Sequence, residues 1–295
     1  MKIAFCPLVS RDMDKAIRAT NSCRNQFPTE SIEIETVAII NSQNQEFVSQ
    51  FSEWCEKENV KYKITQSNGT PSKGKNSVLN FLQNSKYDGL SLTDGDDLFY
   101  PTGAIQIEKH MKHHPGTDVL IVKPADHVSN EKTNTSKEVG ENKYAVCWGM
   151  NVVNLGYKYG PGKHDIFTSG HKAARNLGGH VFYSKKLSNM IRYDEEQVLG
   201  EDLLLEFNLL KLHQQNKISF WLSFASDVQM LDRTKQESIQ SVKNESLGKI
   251  CFERLVEKVK EILPEDRSSF NELPVEFPEI IFNHDQKIEW LKQVF

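Results

Sequence analysis

Alternation of apolar, strand-length runs with helix-period segments over the first 125 residues is the strongest constraint on how this 295-residue chain can fold. Residues 2–9 read as an apolar strand. Residues 12–26 read as a helix anchored by Ala16, Ile17 and Ala19. IEIETVAII (32–40) alternates and then becomes continuously apolar, the pattern of a strand buried on both faces. Phe47, Val48, Phe51, Trp54 and Cys55 recur at helical spacing, and VKYKIT (60–65) is a third strand. A Gly/Pro/Ser/Lys loop follows, then a short helix around Val78, Leu79, Phe81 and Leu82, then a fourth strand, DGLSLTD (88–94). Pro101 suits the first turn of a helix carrying Ile105, Ile107 and Met111, and a fifth strand begins at Asp118. This β-α-β-α-β-α-β-α-β succession predicts an α/β fold: a mostly parallel sheet with helices on both faces. In such sheets, ligands gather at the carboxyl ends of the strands.

The rest of the chain is less regular. Residues 126–142 are polar and read as an exposed loop or hairpin, and residues 143–180, rich in Gly, Tyr and His, as a loop-and-strand region wrapped over a site. EDLLLEFNLLKLH (201–213) is strongly helical. Phe252, Leu255, Val256, Val259, Ile262 and Leu263 form an amphipathic stripe within residues 247–263, followed by a polar tail ending in IEWLKQVF. That helix is open to three uses: covering the core, forming a homodimer interface, or approaching a membrane surface. Two regions are predicted. Residues 1–230 form the main domain, with parts at about 1–125 and about 143–230. Residues 231–295 form a helical C-terminal extension and tail.

Charge excludes some partners. With 36 basic and 40 acidic side chains the formal charge is −4, so a broad electrostatic grip on nucleic acid is not expected. No window approaches the ~18 apolar residues of a membrane span, and the first residues read as a buried strand rather than a signal peptide. Five scattered cysteines without a C-x-x-C pair point to buried thiols in a reducing, cytoplasmic setting, with peripheral membrane contact left open. The sequons at Asn68, Asn134 and Asn244 then read as chance matches.

Three clusters bear on chemistry. Gly69-Thr70-Pro71-Ser72-Lys73-Gly74-Lys75-Asn76 nearly writes a phosphate-binding loop, but Asn76 stands where the magnesium-holding hydroxyl belongs. The weaker expectation is that Lys73 or Lys75 meets a phosphate; a solvated basic turn is the alternative. Asp94, Gly95, Asp96 and Asp97 sit at the exit of the fourth strand. Two such charges ~4 Å apart repel by about 4 kcal/mol at an effective dielectric near 20, a cost that a divalent cation removes. Gly95 is expected to allow the tight turn that lets Asp94 and Asp96 face one site. Glu201 and Asp202 open the helix at 201–213. They either complement its dipole or supply a general base, Asp202, with Glu201 positioning it or the acceptor. Among the histidines, His110, His113 and His114 read as a solvated helix-end cluster, because no nearby carboxylate completes a metal site.

SKGKNSVLNFLQNSKYDGLSLTDGDD (72–97), GGHVFYSKKL (178–187) and GEDLLLEF (200–207) together resemble the family 2-like glycosyltransferases of the GT-A fold, over roughly residues 2–213. The resemblance implies a GT-A-like nucleotide-diphospho-sugar transferase fold whose catalytic domain, residues 1–230, has a donor-binding part at about 1–125 and an acceptor-side part at about 143–230. In the region implied to cover donor and acceptor, His164, His171 and His180 are candidates for contacting a phosphate, a sugar hydroxyl or the cation, and Trp148, Tyr157 and Tyr159 either stack on a sugar or pack in the core. The resemblance also implies transfer of a sugar from a nucleoside diphosphate sugar donor to a saccharide or other hydroxyl-bearing acceptor, inverting and non-processive, with Mn²⁺ or Mg²⁺. On that resemblance Asp94 approaches the nucleoside, and Asp96 and Asp97 hold the metal and diphosphate. Asn76 matches the family's Asn, and Asp202 is the base beside Glu201. Asn41 stands where the family usually has a base-reading Asp, and Lys75 replaces a common Arg, losing its bidentate fork. Nucleotidyl transfer to a sugar phosphate and non-catalytic nucleotide-sugar binding are the competing readings.

Overall fold

A computed structural model describes residues 1–122, 126–147, 180–198, 200–234, 245–262 and 274–295. Strand β1 (Lys2–Val9) runs parallel to β2 (Glu33–Ile40) on one side and β4 (Gly89–Asp94) on the other, with β3 (Lys61–Ile64) parallel beyond β2. One strand breaks the pattern. β10 (His180–Ser184) inserts antiparallel between β4 and β6 (Val119–Val122). β11 (Phe220–Ser223) and β13 (Val275–Glu276) continue parallel to β6, giving the order β13-β11-β6-β10-β4-β1-β2-β3.

Helices cover both faces, and the side chains of β1 show why. Ile3 and Phe5 enter one buried cluster with Phe99, Ile107, Leu120 and Phe182, while Ala4 and Cys6 enter another with Leu79, Leu90, Leu205 and Phe220. The strand's period of two sends successive residues to opposite faces, so both must be apolar. The covering helices are α1 (Met13–Arg24), α2 (Gln45–Lys57), α3 (Pro71–Gln83), α4 (Gly103–His113), α5 (Glu201–Gln214) and α6 (Glu245–Ile262). The α/β architecture with a mostly parallel, helix-flanked sheet is as predicted, and all five cysteines are buried and free. Among the described residues no helix is long and apolar enough to cross a membrane.

Two segments go beyond expectation. Residues 126–142 enter the hairpin expected as an alternative to a loop, but it is not an exposed excursion. β7 (His127–Ser129), β8 (Lys137–Gly140) and β9 (Lys143–Val146) join β5 (Leu98–Phe99) and β12 (Gln229–Asp232) in a second sheet ordered β5-β12-β7-β9-β8. Leu98, Val128, Val139, Ala145 and Met230 are among the apolar residues it buries. The polar tail folds as α7 (His284–Val294) against that sheet, with Ile288 and Leu291 in its core. Its start is fixed by a capping box between Asn283 and Gln286. The region expected as a helical extension also lends β13 to the edge of the main sheet. Of its three open uses, the apolar stripe of α6 takes the first, covering the core. Leu255 and Val259 are buried in the main core, which withdraws them from any dimer or membrane contact.

Candidate active site

The carboxyl ends of β1, β2 and β4 open into a cleft of about 460 Å³. Leu8 and Ser10 line it from β1, Asn41 from β2, Gly74 and Lys75 from α3, Asp94 to Asp96 from β4, and Glu201 and Asp202 from α5. Acidic groups more than 100 residues apart in sequence thus face one space. Gly95 makes this possible, though not by the turn conformation expected of it, since its φ is not positive. Instead, a Cβ there would lie 2.5 Å from the Leu8 carbonyl oxygen and 2.9 Å from Val9 Cα, so only glycine lets the acidic turn lie against β1. Gly74 does the same for α3, where a Cβ would meet Leu8 at 3.0 Å and Asn41 at 3.3 Å.

The basic stretch before β4 is not a loop. Thr70 caps α3, its side chain accepting from the Lys73 amide at 3.3 Å, and Pro71 occupies the first turn. Lys73, Gly74, Lys75 and Asn76 therefore lie on a helix, where their side chains diverge. Lys73 pairs with Glu195 at 3.4 Å. Lys75 points inward, its side chain only 5% exposed, and donates to Asp202 at 2.5 Å and Glu201 at 3.3 Å. Burial opposes the charge on Lys75, yet Asp202, Asp94 and Glu201 outweigh it and hold its pKa well above the usual lysine range. The ring of Tyr193 lies 5.5 Å from the same ammonium. Lys75 is thus tied to the Glu201–Asp202 pair, with Asp94 adding to the field that holds its charge, and is not a free phosphate ligand.

Burial pushes the Asp96 carboxyl up to about 6, with repulsion from Asp94 adding to it and Lys15 opposing. Glu201 is also raised, by burial first and then by Asp202, with Lys75 opposing. Such carboxylates are short of compensating charge. Asp94 and Asp96 on the cleft wall are an all-oxygen pair, of the kind that fits Mg²⁺ or Mn²⁺ shared with phosphate oxygens.

Two expected site residues lie elsewhere. Asn76 does not line the cleft: its amide donates to the Tyr193 carbonyl at 2.9 Å and Glu195 at 3.0 Å, and its oxygen accepts from the Tyr193 amide at 2.8 Å. It ties α3 to the segment leading into α5. Asp97, expected as a metal ligand, is also off the cleft, and its Oδ1 accepts from the Asp232 amide at 3.1 Å, holding the acidic turn to β12. Burial, then Asp96 and Asp94, push its carboxyl well above the usual range. Asn41 does line the cleft, but its amide donates to Thr65 at 2.9 Å and the Gln66 carbonyl at 3.1 Å.

The structure adds Arg11, Asp12 and Lys15, directly after β1. Arg11 is an exposed cation on the rim, while Lys15 is buried against Asp232 at 3.3 Å. Their signal in the sequence was position, immediately beyond the carboxyl end of the first parallel strand. The approach to α5 is held from outside: Arg254 and Lys258 of α6 ion-pair with Glu196 and Asp194. His164, His171, Trp148, Tyr157, Tyr159 and the side chain of His180 lie outside the described residues. The helix-end histidines depart from the solvated cluster expected: His110 is buried, and Glu276, 166 residues away in sequence, brings its carboxylate within 2.8 Å of His110 Nδ1.

The chain matches no protein-family model and no curated protein sequence. Solved structures do match. The crystal structure of S. aureus TarS 1-349 superposes with a TM-score of 0.56 at 16% identity, covering 89% of this chain and 65% of that one. TarS 1-349 in complex with UDP-GlcNAc gives 0.57 at 16% identity, covering 88% and 66%, and the complex with UDP gives 0.53 at 18% identity, covering 88% and 64%. This chain therefore spans about 65% of the length of the structures it matches. At this identity the likeness is one of fold, and the fold this chain shares with TarS is an α/β arrangement with a mostly parallel, helix-flanked sheet, as the strand and helix order implied.

Proposed function

We propose that the chain is a metal-dependent glycosyltransferase moving a sugar from a nucleoside diphosphate sugar to a hydroxyl acceptor. The observation that carries this reading is the convergence of Asp94 and Asp96 with Glu201 and Asp202 on one cleft at the carboxyl ends of parallel strands. The resemblance of these motifs to family 2-like glycosyltransferases supports it. So does the shared fold with TarS, a protein solved with UDP-GlcNAc and with UDP, which makes uridine diphosphate sugars the first donors to try.

In this reading Asp94 and Asp96 hold Mn²⁺ or Mg²⁺, Asp94 also facing the nucleoside, and Asn41 borders the base. When bound, the ion supplies positive charge to the departing diphosphate. Arg11 on the rim offers a second cation to the same phosphates. Asp202 Oδ accepts the proton of the acceptor hydroxyl as its oxygen forms the new bond to the anomeric carbon and the bond to the diphosphate oxygen breaks. Attack from the face opposite the leaving group inverts the anomeric configuration. Lys75 holds Asp202 in place through its 2.5 Å hydrogen bond, and Glu201 anchors the other side of the ammonium.

The test is nucleoside diphosphate release from a panel of uridine and guanosine diphosphate sugars, with Mn²⁺, Mg²⁺ or chelator. Cation-dependent release of the diphosphate, lost in Asp96→Asn, supports the assignment; full turnover by that variant overturns it. Pyrophosphate release from a nucleoside triphosphate would instead favour nucleotidyl transfer. Failure of every donor to bind would leave a non-catalytic protein.

A further inference from the structure

At the edge of the sheet remote from the cleft, the end of α4 meets β13. His110 and His114 are four residues apart and so lie on one side of the helix end. The Thr117 hydroxyl donates to the His114 carbonyl at 2.8 Å, which commits its only proton. Its oxygen lies 3.0 Å from His110 Nε2 and must therefore accept a proton from that nitrogen. In a neutral ring this leaves Nδ1 as a bare lone pair. Nδ1 is buried without a hydrogen-bond partner of acceptable geometry, yet it sits 2.8 Å from the Glu276 carboxylate. Two lone pairs brought together in a buried place need a cation between them or a second proton on the ring.

Further geometry favours a cation. His114 Nε2 lies 3.8 Å from the same Glu276 oxygen, and the three ligand atoms all fall within 4.8 Å of one another. Zinc bonds of about 2.0–2.1 Å place two ligands of a tetrahedral site roughly 3.4 Å apart. The observed 2.8 and 3.8 Å bracket that value, and the third pair of ligand atoms lies within 4.8 Å. The parts are also held. The His114 ring stacks on Trp221 at 3.7 Å, and the Glu276 carbonyl accepts from the Phe224 amide at 3.2 Å. Thr117 fixes the tautomer of His110 as outer hydrogen-bond partners of metal-bound histidines do.

We propose that His110, His114 and Glu276 form a Zn²⁺ site that staples the end of α4 to the edge strand β13, with a fourth position open to water. Two imidazoles and one carboxylate suit zinc, whereas the all-oxygen cleft suits Mg²⁺ or Mn²⁺, so the chain carries two sites of different selectivity. The staple joins the first half of the chain to its last 22 residues, 274–295. It stands whether or not the cleft binds a nucleotide sugar.

The experiment uses the full chain without a histidine tag, stripped with chelator and titrated with Zn²⁺ by calorimetry, with Co²⁺ absorption reporting the ligand field. One equivalent should bind, and His114→Ala and Glu276→Gln should each weaken it by at least about tenfold. Thr117→Ala, which touches no metal, should weaken it about 10- to 100-fold. Asp94→Asn with Asp96→Asn should leave it unchanged. Circular dichroism confirms that each variant is folded. Uptake by His114→Ala and Glu276→Gln equal to the parent chain would overturn the proposal. So would no uptake by the parent chain, with a doubly protonated His110 seen by NMR.

Discussion

Two buried lysines show how a site differs from a core. Lys287 of α7 is fully buried, donating to Asp126 at 2.6 Å and the Ser226 carbonyl at 2.8 Å, and the Asp126 carboxylate also accepts from Tyr100 at 2.8 Å. Lys75 is nearly as buried, at 5%, but one of its partners, Asp202, keeps 35% of its side chain exposed on the cleft. Both lysines are ion-paired, since an unpaired buried ammonium would be expelled or neutralised. What separates them is the open side. The charges around Lys287 are closed on themselves and fix α7 to the second sheet. Those around Lys75 end at a space where a ligand can add to them.

The comparison can be broken by substitution. Asp202→Asn should cut sugar transfer by about 10²–10⁴-fold while donor affinity per folded molecule stays near that of the parent chain, with only a modest loss of stability because Glu201 and Asp94 still offset the buried Lys75. Transfer left intact would remove Asp202 from the chemistry. Lys287→Met should do the opposite. Leaving Asp126 buried without its cation costs about 3–5 kcal/mol of stability by denaturant titration, with donor affinity per folded molecule unchanged. If it abolished transfer without loss of stability, the division into site and core would fail.

Gly95→Ala tests the cleft wall. The added methyl would sit 2.5 Å from the Leu8 carbonyl oxygen, and moving the acidic turn off β1 should cost about 1–3 kcal/mol and weaken metal-dependent donor binding. The smallest effect concerns pH. Asp96 has its pKa raised to about 6 by burial and Asp94, so at neutral pH its ionised form is a burden on the fold. That burden is relieved as pH falls through about 6 toward the ordinary carboxylate range. Cation binding needs the ionised form and should run the other way, weakening by about tenfold per pH unit below 6 by calorimetry. In Asp94→Asn the fall should begin at lower pH, because the repelling neighbour is gone. An unchanged pH profile in that variant would separate Asp94 from the cation site.

Local pattern made much of the fold and half of the site readable. The alternation in residues 2–122 placed the strands, and the position of Asp94-Gly95-Asp96 at a strand exit placed that turn at the sheet's ligand edge. Thr70-Pro71 carried a helix start that reading Lys73 to Asn76 as a loop overlooked, although a capping threonine before proline is a local signal. Asn283 and Gln286 likewise announced α7 within a tail that composition marked as polar. Asn76 and Asp97 were different. Their residue types fit a binding role, but their partners, Tyr193 with Glu195 and Asp232, are more than 100 residues away.

By itself, then, the sequence determined the main strands and helices of residues 2–122, that the sheet is mainly parallel, and that its carboxyl edge carries acids. Those properties follow from backbone periodicity and from side-chain preferences that act over a few residues. Only the tertiary structure decided that Asp94 and Asp202 share a space, that Lys75 pairs with Asp202, that Lys287 is sealed away with Asp126, and that Glu276 reaches His110. Each of those pairs spans more than 100 residues. A carboxylate or lysine reads the same in sequence whether packing turns it to a cleft, a core or water, and the burial that sets its chemistry exists only once the chain has closed.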